Sequence, residues 1–171
     1  MTIISNHEIA RFLFEIGAYL DMEDVPFKPR AYEKAAQAIE GLEKEARDIY
    51  KEGGVKALGE IPGVGFAIAE HIEECLKTGR IARYVELKKK IPVELGELMA
   101  IEGLGPKSIK KLYASLGIKN LKEIEKAARA FEIYVSDILE SAGIFNDYLA
   151  NIYKGAEAGA EWDESAYPFK R

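Results

Sequence analysis

Ser5 and Glu8 stand three residues apart, ahead of an apolar series made by Ile9, Phe12, Leu13, Ile16 and Leu20. A serine followed by glutamate at that interval is the sequence form of a capping box, and the apolar spacing keeps to one side of a helix. A first helix of about five turns is predicted from there. Val25-Pro26-Phe27-Lys28-Pro29 breaks it, because proline donates no N–H and biases the residue before it away from helical dihedrals. Helix formers resume at Arg30, with Tyr32, Ala35, Ala36 and Ile39 on one face and Gly41 as the stop. A further helix is predicted over residues 42–51, ending at Gly53 and Gly54. No stretch combines alternating polarity with β-branched enrichment, so the expected fold class is all-α.

The pattern then repeats at an offset of 40 residues. Ile61-Pro62-Gly63-Val64-Gly65 answers to Ile101-Glu102-Gly103-Leu104-Gly105, with Leu58 matching Leu98 before the turn. After it, Ala69, Ile72 and Leu76 match Ile109, Leu112 and Leu116. Each copy reads as a short helix, a tight apolar-Gly-apolar-Gly turn and a second helix closing near Gly79 or Gly117, which is a helix-hairpin-helix.

Such a turn suits an anion. Its glycines reach dihedrals that a side chain forbids and leave the backbone bare, while the apolar residue between them, Val64 or Leu104, anchors the turn. The helix that follows directs its unpaired N–H groups and positive dipole end outward. In the second copy Lys107, Lys110 and Lys111 add charge, where the first has Ala67, Glu70 and His71, so the second hairpin is expected to hold phosphate more strongly. A single turn of this kind can be a packing corner; two copies with matched flanks favour nucleic acid. Backbone amides read no bases, so recognition is expected to be independent of sequence. The expected DNA-facing set is Gly63, Val64, Gly65 and Ala67 in the first hairpin, and Gly103, Leu104, Gly105, Lys107, Ser108, Lys110 and Lys111 in the second, together with Phe27, Lys28, Lys34 and His71.

Composition qualifies this reading. The net charge of −5 is unusual for a nucleic-acid binder, but its distribution matters more than its total. Residues 28–122 hold 18 basic against 14 acidic side chains, residues 1–27 hold 1 against 5, and residues 123–171 hold 5 against 10. A basic middle between acidic ends predicts modest, salt-sensitive affinity. Cys75 alone supports neither a disulfide framework nor a cysteine-rich metal site, and a small core role is expected for it. With no apolar run of about 18 residues and no basic-then-apolar leader, a cytoplasmic location is expected, nucleoid-associated in a bacterium or archaeon.

Across roughly residues 5–126 the sequence resembles the N-terminal region of family X DNA polymerases of the bacterial and archaeal type. The likeness rests on residues 26–36 (PFKPRAYEKAA), Ile61-Pro62-Gly63-Val64-Gly65 with Ile68-Ala69-Glu70, Thr78-Gly79-Arg80, and Gly103-Leu104-Gly105-Pro106-Lys107. It implies a lyase-like helical lobe over residues 1–83 that engages the 5′ side of a DNA gap. A second hairpin lobe over residues 84–126 would grip duplex backbone on the primer side. It also implies a monovalent cation, Na+ or K+, at each hairpin, on the main-chain carbonyls of Gly59, Ile61 and Val64 and of Met99, Ile101 and Leu104. Phe27 and Tyr32 match positions near the 5′ end of bound DNA; Phe27 is a candidate for stacking on a base, while Tyr32 lies on an apolar helix face and is expected in the core.

Two departures limit what carries over. The lysine that forms the Schiff base of a 5′-deoxyribose-phosphate lyase corresponds here to His71, and imidazole cannot make that imine. A second lysine of the family corresponds to Ala67, which leaves Lys28, with Lys34 as a substitute amine. The polymerase palm with its metal-binding carboxylates is not expected in the remaining residues, where Asp137, Asp147 and Asp163 stand isolated. The expected function is therefore non-catalytic binding to gapped, nicked or branched duplex in repair or replication. The alternatives are a residual lyase using Lys28 or Lys34 and a protein-interaction adaptor that has lost DNA. Helices are predicted over residues 127–154. Over residues 155–171 Trp162, Tyr167 and Phe169 lie among acidic residues, either a docking peptide for a protein partner or a segment packed on its own surface.

Overall fold

The computed structural model describes residues 4–130, and among them only helices and turns occur, with no strand. The chain divides after Glu123 into two units, and the seven helices named below belong to the first. Helix α1 runs Asn6–Met22 and is capped as its sequence predicts: the Glu8 N–H donates to Ser5 Oγ and the Ser5 N–H donates back to the Glu8 carboxylate. Ile9, Leu13, Ile16 and Tyr19 on its inner face are fully buried, each apolar side chain contributing about 1.5–3 kcal/mol.

Helix α2 (Lys28–Glu40) begins two residues ahead of the predicted Arg30, because Pro29 falls in its first turn, where no N–H is required of it. Its buried stripe is the predicted one, Tyr32, Ala35, Ala36 and Ile39, laid against α1.

The third helix corrects the prediction. Instead of starting at residue 42, α3 starts at Ala46 and spans Ala46–Gly59, and Gly54, at φ 65° and ψ −155°, leaves helical dihedrals, so two helical segments meet there at a kink and the first stops at the glycine pair as predicted. Its start is set by α1 rather than by local sequence. Asn6 is buried, accepts the Ala46 N–H on Oδ1 at 2.8 Å, and donates from Nδ2 to the Lys44 carbonyl at 3.1 Å, so residues 42–45 stay out of the helix.

Helix α4 (Phe66–Thr78) packs on α3 and ends at Gly79 in the left-handed region. Next come α5 (Ala82–Lys90), the single turn α6 (Leu95–Leu98) and α7 (Pro106–Leu116), closed by left-handed Gly117. The first unit holds together across residue 83. Tyr84 Oη donates to the buried Glu15 carboxylate at 2.7 Å, Tyr19 Oη donates to the Val93 carbonyl at 2.9 Å, and α1 also packs against α6 and α7. Residues 121–130 are helical again, while the predicted elements beyond residue 130 and the aromatic tail lie outside the described residues.

Candidate nucleic-acid interface

Both hairpins are built on the same hydrogen bonds. In the first, Ile61 N–H donates to the Leu58 carbonyl at 3.2 Å and Val64 N–H to Ile61 at 2.9 Å; in the second, Ile101 donates to Leu98 at 3.2 Å and Leu104 to Ile101 at 3.1 Å. Gly63 and Gly103 hold φ of 90° and 78°, where a side chain would be strained. Val64 is buried beneath its turn and Leu104 half-buried, so both are anchors, with the first seated more deeply.

Gly65 and Gly105 differ from these two. Their φ values of −79° and −85° suit any residue, and a Cβ on either would meet nothing within 4 Å. Neither backbone geometry nor packing inside the protein calls for glycine there. They cap α4 and α7 without a side-chain hydrogen bond. Among the described residues, no acceptor meets the N–H groups of Gly65, Phe66 and Ala67, or those of Gly105, Lys107 and Ser108. Each turn therefore presents three open donors at a helix N-terminus over bare backbone, the requirement for an oxyanion.

The repeat fails at its far end. Leu76 is fully buried, but its counterpart by offset, Leu116, is 65% exposed. Helix α7 has 11 residues against 13 in α4, and Gly117 closes it directly after Leu116, whereas Gly79 lies three residues beyond Leu76.

The side chains are placed as follows. Lys107 and Lys110 do not stand free: both reach Asp24, at 3.5 and 3.1 Å, while Lys111 is exposed with no ion pair among the described residues. Phe27, at φ 63°, caps α2 and is 90% exposed, whereas Tyr32 is in the core. Lys34 lies where α2 meets the first turn, its carbonyl 3.5 Å from the point where a Gly63 Cβ would stand. Lys28 is exposed in the first turn of α2. No hydrogen bond or ion pair joins either lysine to His71. Cys75 is fully buried, and burial raises its thiol to about 12.

His71 is half-buried. Its ring stacks on Tyr32 with centroids 6.2 Å apart, and Nδ1 lies 4.0 Å from Glu74. Burial lowers its pKa, Glu74 and Glu70 oppose that shift, and Arg83 adds to it. The sequence reading missed Phe66, 65% exposed directly after Gly65, and the acidic pair Glu23 and Asp24. The signal for the acidic pair was available, as carboxylates are disfavoured at a helix C-terminus.

The carbonyls assigned to a cation fit one in their chemistry. Those of Gly59, Val64, Met99 and Leu104 accept no backbone N–H among the described residues, and those of Ile61 and Ile101 accept one each. Open lone pairs on hard oxygens are what a monovalent cation takes.

With this geometry in view, the chain can be set beside known proteins. Residues 4–81 match the family described as helix-hairpin-helix domain. The DNA polymerase/3′-5′ exonuclease PolX of Bacillus subtilis is 32% identical over 121 residues, which cover 70% of this chain and 20% of that protein. This chain is PolX-like. The likeness is to the N-terminal part of the polymerase, so the chain spans about a fifth of its relative's length. A second match, to large polyvalent protein-associated domain 1, takes residues 121–171. Among the described residues of this PolX-like chain, no helix is long and apolar enough to cross a membrane.

Proposed function

We propose that this PolX-like chain binds duplex DNA through its phosphate backbone, without reading sequence and without a chemical step of its own, and that it favours gapped, nicked or branched duplex. The observation that carries the reading is the pair of open amide sets behind Gly65 and Gly105, repeated with the same hydrogen bonds in both hairpins. Successive phosphates would rest on those amides, with Lys111 and the other lysines of α7 adding charge. Na+ or K+ on the carbonyls of Gly59, Ile61 and Val64, and of Met99, Ile101 and Leu104, would supply charge neutralisation between phosphate and turn. Exposed Phe27 offers a face for an unpaired base at a gap.

The absence of a lyase step rests on His71. The residue carries no primary amine, and its half-buried ring is occupied by Tyr32. Lys28 and Lys34 lie on α2, and among the described residues no hydrogen bond or ion pair joins either to it.

Fluorescence-anisotropy titration on gapped, nicked and intact duplex at several salt concentrations tests the reading. Wild type is expected to bind with a salt-dependent affinity that Lys107→Glu/Lys111→Glu abolishes, and to prefer the gap. Borohydride trapping on abasic gapped DNA is expected to give no adduct. Absence of binding to every form at low salt would overturn the DNA reading, and a trapped adduct lost in Lys28→Ala or Lys34→Ala would restore the lyase.

A further inference from the structure

The lysines of the second hairpin already hold an anion, and it belongs to the protein. Helix α1 ends in Asp21, Glu23 and Asp24 with no basic residue in its last turn. Carboxylates there face the negative end of the helix dipole, so the sequence sets them where the helix itself disfavours them. Asp24 follows the cap residue Glu23 in the left-handed region, at φ 56°. Glycine, asparagine and aspartate all tolerate that region, so the backbone admits Asp24 without requiring its charge.

The tertiary structure supplies the missing reason. Lys90 at the end of α5 donates to Glu23 at 3.2 Å, while Lys107 and Lys110 in the first turns of α7 lie 3.5 and 3.1 Å from the two oxygens of Asp24. Three lysines from two helices thus converge on two adjacent acidic residues just past the end of a third. Lys107 carries one of the open amides of the second hairpin, where a phosphate would be bound, and Lys110 follows about one turn along the same helix.

We propose that Asp24 is a built-in competitor for DNA: its carboxylate takes the anion position offered by Lys107 and Lys110 and keeps the second hairpin charge-neutralised until a phosphate displaces it. The inference rests on the reading of that hairpin as a phosphate grip. The lysines hold the Asp24 carboxyl below its usual range, Lys110 more than Lys107, so it remains a competing anion at any pH where DNA is bound. Asp24 is 64% exposed and so are much of both lysines, which makes the contact a weak, exchangeable one that an incoming phosphate can replace. The acidic pair thereby lowers the affinity that the local lysine density would otherwise give, and favours substrates that engage both hairpins at once.

Asp24→Asn and Asp24→Gly remove the charge while keeping residues at ease in left-handed backbone, so both variants retain the fold. Anisotropy titration on a nicked duplex at low salt would compare them with wild type, with Lys107→Ala/Lys110→Ala, and with Asp24→Asn placed in that double-alanine background. Both Asp24 variants are expected to bind about threefold to tenfold more tightly. That gain is expected to narrow as salt rises and to vanish without the two lysines. Binding equal to or weaker than wild type, or a gain that persists without the lysines, would overturn the competitor. Those results leave the DNA reading intact, whereas no binding by any protein, Asp24→Asn included, would sink both.

Discussion

His71 lies stacked against Tyr32, ring centroids 6.2 Å apart and planes 30° from parallel. An imidazole held by a buried tyrosine keeps the helix packed there and is disfavoured in its charged form.

That pairing makes stability fall on the acid side of neutrality. Burial holds the folded pKa of His71 below its ordinary 6.5, so between the two values the unfolded chain binds more protons and unfolding is favoured as pH drops. The contribution of His71 is complete above the unfolded value and is lost as pH falls through the folded one. Urea midpoints measured near about pH 7.5 and about pH 5.5 are expected to differ more for wild type than for His71→Gln. Equal differences would place the histidine's charge change outside the folded core.

The hairpin glycines separate folding from binding. Gly65→Ala and Gly105→Ala place a methyl in open space at an ordinary φ, so stability is expected to change by less than about 0.5 kcal/mol. Both should weaken DNA binding about tenfold by holding phosphate off the amides. Gly63→Ala at φ 90° is expected to cost about 1–2 kcal/mol of stability. Chemical denaturation and anisotropy on the same samples distinguish the two classes, and unchanged affinity in Gly65→Ala would remove the first turn from the interface.

Asn6 holds the start of α3. Its replacement by alanine strands the Ala46 N–H and the Lys44 carbonyl together, with an expected loss of about 2–3 kcal/mol in urea denaturation. Asn6→Asp keeps the acceptor for Ala46 but sets a carboxylate against the Lys44 carbonyl, so it should also destabilise the protein.

Cys75 offers a chemical clock for opening. It is fully buried and its thiol is raised to about 12, so alkylation at neutral pH should proceed only as fast as α4 opens. Labelling by iodoacetamide is expected to be slow in wild type and faster in Asn6→Ala. Rapid labelling of the native protein would contradict that burial.

The all-helical class, the capping box of α1, the buried stripe of α2 and both hairpin turns were legible because each is decided within a few residues. A Ser-x-x-Glu interval, an apolar step of three or four and a glycine at positive φ act locally, and the offset of 40 exposed the repeat before any packing was known. What sequence could not settle depended on groups far apart in the chain. Helix α3 begins at Ala46 because Asn6, forty residues earlier, supplies its cap. Leu116 matches Leu76 by offset, yet Leu76 is buried and Leu116 exposed, because burial depends on what packs against the helix and not on place in the repeat. The lysines of the second hairpin were readable as charge, but only the fold brings Asp24 onto them from 83 and 86 positions away, since an ion pair depends on distance in space and not on spacing in sequence.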